Sequence, residues 1–201
     1  MDPPTVEQNE GMRTRILDAA DRLMQMRGYS GFSFADVAEV VGIRKASIHH
    51  HFPTKSDLGR AQLMRFREVC SRRLIEIDSI AKSPAAKLRG YVDLFRSTLA
   101  DDGRMCLCGM LAAGVENLPD ELREDLREAI VEHEQWLAKV FREGRRAGTF
   151  PRRGTIDQQS RAFLAALEGS MLLARVCGGV DRFEVVAAGL LDALASPRRS
   201  S

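Results

Sequence analysis

SFADVAEVVGIRKASIHHHFPTK, residues 33–55, reads as two short helices joined by a tight turn and followed by the capped start of a third. Ser33 stands where an N-cap belongs, Asp36 closes a capping box three residues on, and Phe32 can staple against Val37. Val37, Ala38 and Val41 supply an apolar face, and Gly42 lets the backbone leave the helix with φ > 0 before Ile43 returns to the core. The second helix carries Arg44, Lys45, Ser47, His49 and His50 outward, with Ile48 and Phe52 inward. Two helices around a glycine-containing turn make a helix-turn-helix, whose second helix enters the DNA major groove.

Pro53 ends that reader helix, and Thr54 with Asp57 offers a second capping box. Lys55 then falls in the first turn of a third helix, where free N–H groups and the positive dipole end suit a DNA phosphate. Upstream, Ile16, Leu17, Ala20, Leu23 and Met24 recur at three and four residues over about Met12 to Arg27. That helix packs over the reader pair and completes a three-helix domain, because an isolated helix-turn-helix cannot bury its own apolar faces.

On the leading helix Arg13–Arg27, the GYSGFSFADVA and VGIRKASIHHHFPTK runs and Leu58, the chain resembles the TetR family of bacterial one-component transcriptional regulators. The matching pieces cover roughly the first quarter of the chain. The resemblance implies double-stranded DNA as partner, in the form of a palindromic operator, with a C-terminal domain that dimerises and takes up a small-molecule effector. It also implies a repressor that leaves DNA when the effector binds. His49 and His50 stand where the family commonly carries a pair of tyrosines, the first of which touches phosphate. Arg44 replaces a small hydroxyl residue, which adds charge and removes a good cap.

With 201 residues, 44% of them apolar and 29% charged, the chain can bury a real core. The net charge is only +2, so the positive character has to be local. Between Arg44 and Arg60 the basic residues Arg44, Lys45, Lys55 and Arg60 face one acid, Asp57. No run is apolar enough to span a membrane, and MDPPTVEQNEG is not a signal peptide. Cys70, Cys106, Cys108 and Cys177 do not form a disulfide framework, which points to reduced thiols and a cytoplasmic location.

The expected fold is all-α, with about nine helices and no strand. Residues 1–11 read as a disordered arm, 12–57 as the DNA-binding domain, 58–196 as the effector-binding and dimerisation domain, and 197–201 as a disordered tail. A long helix from Thr54 to about Ile80 leaves no flexible linker, so a core movement can be passed rigidly to the reader. Ser83-Pro84 starts the next helix, Cys106–Ala113 is a short and almost wholly apolar segment expected to be enclosed on all sides, and Thr155 caps a further helix. The last two helices are apolar over much of their circumference. Phe163, Leu167, Ser170, Met171, Ala174, Val186 and Leu190 are the expected homodimer contacts, the family forming an intersubunit four-helix bundle there.

Phe95, Leu99, Cys106, Met110, His133, Trp136 and Leu137 are candidates for the effector cavity, with His133 as a polar handle in an apolar wall. Such a lining favours a small hydrophobic or aromatic effector. The Cys106 segment resembles a glycine-cysteine-leucine stretch in one branch of the family, with Met105 in the glycine's place. Arg104 nearby would lower the thiol's pKa, which makes Cys106 a candidate sensor of electrophiles or oxidants. Its bland alternative is a small core residue. A metal is not implied: adjacent helical histidines diverge, and Cys106 with Cys108 lacks further ligands. No cofactor is implied either. The competing function is a helical thiol-based redox protein or enzyme using Cys106 or His133. Against it, the sequence has no nucleophile elbow, no phosphate-binding glycine pattern and no carboxylate–histidine cluster.

Overall fold

The computed structural model describes residues 6–195, which hold nine helices, one 3-10 turn and no strand. The helices are α1 Val6–Arg27, α2 Phe34–Val41, α3 Lys45–His51, α4 Lys55–Ile80, α5 Pro84–Ala100, α6 Leu107–Ala113, α7 Asp120–Arg146, α8 Ile156–Val176 and α9 Gly179–Ala195. Of the expected arm, residues 1–5 lie outside the described residues, whereas from Val6 onward the chain is helical. Asn9, Glu10 and Gly11 are all exposed, and none of the three adds to an apolar stripe that periodicity could detect. It propagates from the packed part of α1, which is cheaper than starting a helix anew. The expected tail, 197–201, also lies outside the described residues.

Contacts divide the chain into two compact units. The first comprises the residues up to Glu68 together with Leu107–Arg127. Its core is the expected one: Ile16, Leu17, Ala20, Leu23 and Met24 of α1 are buried, as are Val37, Val41, Ile48, Phe52 and Leu58. Helix α1 packs against both α2 and α6. Ser33 caps α2 through a complete capping box with Asp36, and Gly42 ends it in the left-handed region at φ 75°. An L side chain at that φ would cost about 1 kcal/mol or more. Arg15 Nη2 donates to the Val41 carbonyl at 2.7 Å, satisfying the end of α2. Helix α6 is not enclosed as expected: Leu107, Cys108 and Leu111 are buried, while Ala112 and Ala113 face out. Small side chains made that outer face look apolar in sequence, yet they expose little hydrocarbon.

The second unit comprises Val69–Cys106 and the residues from Glu128 onward. Helices α5, α8 and α9 pack together around Leu88, Phe95, Leu167, Met171 and Phe183, all buried. Ser83 accepts from Ala86 N with Pro84 at the start of α5, and Thr155 with Gln158 forms a capping box on α8. Helix α4 is one continuous helix that begins in the first unit and ends in the second. No helix among the described residues is long and apolar enough to cross a membrane.

Candidate functional site

Helix α3 is held from three directions before any of its outer side chains is considered. Ile48 is fully buried, Phe52 closes the helix with its N–H on the Ile48 carbonyl at 2.8 Å, and the Arg13 guanidinium lies 5.0 Å over the Phe52 ring. Arg44 is the N-cap and makes no side-chain capping bond, which leaves its guanidinium for another partner. Arg44, Lys45, His49 and His50 are exposed and Ser47 half-buried. His51 turns back toward the fold; burial first, then the charges of His50 and Arg13, hold its pKa below the ordinary histidine value.

His49 is more constrained than its exposure suggests. Its ring meets Phe34 edge-on at 4.8 Å, and Nδ1 lies 3.2 Å from the Pro53 carbonyl. A carbonyl only accepts, so Nδ1 carries the proton in that contact and Nε2 of a neutral ring is an acceptor. In that state His49 suits a base amino group better than a phosphate.

Lys55 departs from the phosphate role expected of it. Its ammonium donates to the Phe32 carbonyl at 2.5 Å and sits 4.7 Å and 4.5 Å over the rings of Tyr29 and Phe32. Burial lowers its pKa, against the opposing effect of Asp36. Arg60, the fourth base of the expected patch, pairs with Asp125 at 2.7 Å. The basic character displayed at the reader thus narrows to Arg44 and Lys45 at the start of α3. Beside them runs a groove of about 560 Å³ whose other wall is Asn9 and Met12 of α1. Neither was singled out from the sequence: Asn9 lies in the extension of α1, which carries no periodic signal, and Met12 stands at the expected start of that helix with no charged group to mark it.

In the second unit, the residues expected around an effector fall into two sets. Phe95, Leu99 and Leu137 are buried core, Trp136 is half-buried, and Cys106 and His133 are buried. Met110 instead belongs to the first unit, where its methyl group lies beside Gly28. His133 Nδ1 is 2.8 Å from Tyr91 Oη, so the expected polar handle already has a partner. Tyr91 stacks on Trp136 at 5.3 Å, and Trp136 Nε1 donates to Asp78 at 3.3 Å. Asp78 also receives Lys139 and Lys87, each at 2.8 Å. Although burial acts to raise its pKa, those hydrogen bonds and charges outweigh it and the carboxyl titrates low. Tyr91 and Asp78 escaped the sequence reading because each lies in an ordinary amphipathic repeat.

Burial, slightly offset by Glu132, lowers the His133 pKa to about 4. The unfolded chain, with histidine near 6.5, therefore binds more protons than the native one between those values, and stability falls as pH drops through that window. The loss should reach roughly 3 kcal/mol near pH 4. Urea unfolding across pH 7 to 4 checks this: His133→Asn should remove that part of the slope, and an unchanged slope would contradict it.

The expected thiol activation is not provided as foreseen. Arg104 pairs with Asp101, and the acid that acts on Cys106 is Glu168 of α8. A lone acid within the apolar run AFLAALEGSMLLA was a visible signal for it.

Most of the residues expected at a dimer interface are internal to the protomer. Phe163, Leu167, Ser170, Met171 and Ala174 are buried within the protomer, and Leu190 is half-buried. Only Val186 of that set is exposed, and the apolar surface that accompanies it is Leu172, Leu173 and Val176 of α8 with Val185 of α9. Both faces of α8 are apolar, so spacing alone did not say which is inward.

Comparison with known proteins supplies the context for this geometry. Residues 16–61 match the family described as bacterial regulatory proteins, tetR family, and residues 84–190 match the one described as tetracyclin repressor-like, C-terminal domain. The transcriptional regulator AcuR of Cereibacter sphaeroides is 27% identical over 154 residues, covering 75% of this chain and 70% of that protein. The transcriptional repressor NemR of Escherichia coli K12 is 22% identical over 188 residues, covering 92% of this chain and 94% of that one. The crystal structure of a TetR-family regulator from Agrobacterium tumefaciens superposes with a TM-score of 0.90 at 31% identity, over 94% of this chain and all of that one. These matches are transcriptional regulators and not enzymes, which sets aside the enzyme reading of Cys106.

Proposed function

We propose that this chain, which belongs to the TetR family of bacterial regulatory proteins and is a DNA-binding transcriptional regulator, is a repressor that binds a palindromic operator as a homodimer. The observation that carries this is the capped helix-turn-helix, with Arg44, Lys45, Ser47, His49 and His50 on the outer side of α3. Arginine and lysine at the start of a reader helix match guanine acceptors or adjacent phosphates. Dimerisation through the exposed apolar faces of α8 and α9 would present two reader helices to successive major grooves, which is why a palindrome is the expected site. Repression is supported by the printed description of NemR as a repressor.

Release is proposed to follow uptake of a small hydrophobic or electrophilic molecule by the second unit, near Cys106. Because α4 continues from Lys55 to Ile80, a shift at one end is transmitted as displacement rather than absorbed by a linker. The test is selection of bound fragments from genomic DNA with purified protein, then titration on the best site at several salt concentrations. A short palindrome bound at least ~10³-fold more tightly than random duplex is the expected result. Binding without sequence preference would overturn the operator reading.

A further inference from the structure

Lys45 and His49 stand four residues apart on α3 and are both exposed, so they share its outer face with about 5–6 Å between their Cβ atoms. They differ in what they offer. The Lys45 ammonium only donates hydrogen bonds. The His49 ring is fixed on two sides, by Phe34 of α2, which it meets edge-on at 4.8 Å, and by the Pro53 carbonyl 3.2 Å from Nδ1. That carbonyl is itself held in place, because the next residue, Thr54, donates to Asp57 from its backbone N–H at 2.9 Å and from its hydroxyl at 2.7 Å. Turning the ring over would bring a carbon to the carbonyl and forfeit the bond. Nδ1 therefore keeps the proton of a neutral ring. Nε2 is left with a lone pair, no proton and no partner among the described residues.

We propose that His49 reads the operator as a hydrogen-bond acceptor, so that one position of each half-site is distinguished by whether its base carries an amino or a keto group in the major groove. This rests on the operator reading above and deepens it, by naming a base-reading residue and the chemistry it selects. In the major groove adenine N6 and cytosine N4 are donors, whereas guanine O6 and thymine O4 are acceptors. The Nε2 lone pair bonds the first two and meets only lone pairs on the others. Adenine and cytosine on one strand are thus accepted, and guanine and thymine refused. A phosphate is refused for the same reason, since it offers acceptors to a group with no proton to give. Sequence resemblance alone gives this position a phosphate contact; the fixed ring assigns it a base. Its sense is opposite to that of Arg44 and Lys45, which match guanine acceptors. The spacing of Lys45 and His49, set against about 3.4 Å between successive bases, puts the His49 position roughly one or two base pairs from the one Lys45 touches.

The experiment selects bound sequences from a random duplex library at about pH 8, above the ordinary histidine range, with the full-length parent and with His49→Phe. The variant keeps a ring against Phe34 and removes the acceptor. In the parent, one position per half-site should take adenine or cytosine on the same strand at least ~10-fold in preference to guanine or thymine. In His49→Phe that preference should vanish while the other positions stay unchanged. The parent should also lose about 10-fold on an operator whose adenine there is replaced by purine, which lacks only the amino group. A His49→Phe profile identical to the parent's, or a uniform loss on operator and random duplex alike, overturns the proposal. So does a changed position that favours guanine or thymine in the parent, because the ring would then be donating. These outcomes leave operator recognition in place, whereas a parent without sequence preference overturns that reading and this one with it. Should His49→Phe not fold, nitrogen-15 NMR of the parent's histidines decides. A His49 proton on Nε2 overturns the proposal; a proton on Nδ1, with an Nε2 signal that moves only on operators carrying adenine or cytosine at that position, upholds it.

Discussion

Replacing Val176 and Val185 by aspartate is expected to leave the protein monomeric at micromolar concentration and to weaken operator binding by about 10³-fold or more. Val176 is 84% exposed and Val185 74% exposed in the protomer, with Leu173 at 56% beside them. Burying a valine or leucine gains about 1.5–3 kcal/mol, and two symmetric faces double the contribution. Four carboxylates placed on such an interface would have to be desolvated without partners, which costs several kcal/mol per ion. A protomer alone reads one half-site and loses the second set of contacts. Sedimentation equilibrium measures the first effect and operator titration the second. Phe163→Ala provides the contrast: that side chain is buried in the protomer, so its loss should cost about 3–5 kcal/mol of folding stability. A Val176/Val185 double variant that remains dimeric would move the interface to another face.

The difference between those two variants marks what the sequence could convey. The nine helices were legible, though not the Val6–Gly11 extension of α1, because capping residues such as Ser33, Ser83 and Thr155 announce starts by local chemistry. The reader helix and its left-handed Gly42 were legible for the same reason. Direction was less legible: α8 is apolar on two sides, and a 3.6-residue period identifies a stripe without saying which neighbour it meets. The joining of Leu107–Arg127 to the first unit depends on contacts between residues about eighty positions apart, for which no local pattern exists. Side-chain partners were the least legible. The Glu168–Cys106 and His133–Tyr91 pairs each join different segments of the second unit, and Lys55 reaches back twenty-three residues to Phe32.

That last contact gives Lys55→Ala an expected outcome different from the one its position implies. The variant should lose about 2 kcal/mol of stability in the first unit, the sum of a charge-assisted hydrogen bond and two ring contacts less the cost of desolvating the ammonium. The slope of log affinity against log salt should stay nearly constant, since an ammonium held 2.5 Å from the Phe32 carbonyl displaces no counterion from a phosphate. Lys45→Ala, on the exposed side of α3, should instead lower that slope by about one with little change in stability. Phe32 directly precedes the Ser33 cap of α2, and Lys55 opens α4, so the bond ties together the two helices that flank the reader in sequence. Loss of the tie should loosen the seating of α3 and weaken operator and random DNA together, through the fold rather than through charge. Thermal unfolding and salt titration of the two variants separate the cases. A unit drop in slope for Lys55→Ala with stability unchanged would mean that the ammonium leaves its rings to meet DNA, and would place Lys55 on the phosphate backbone after all.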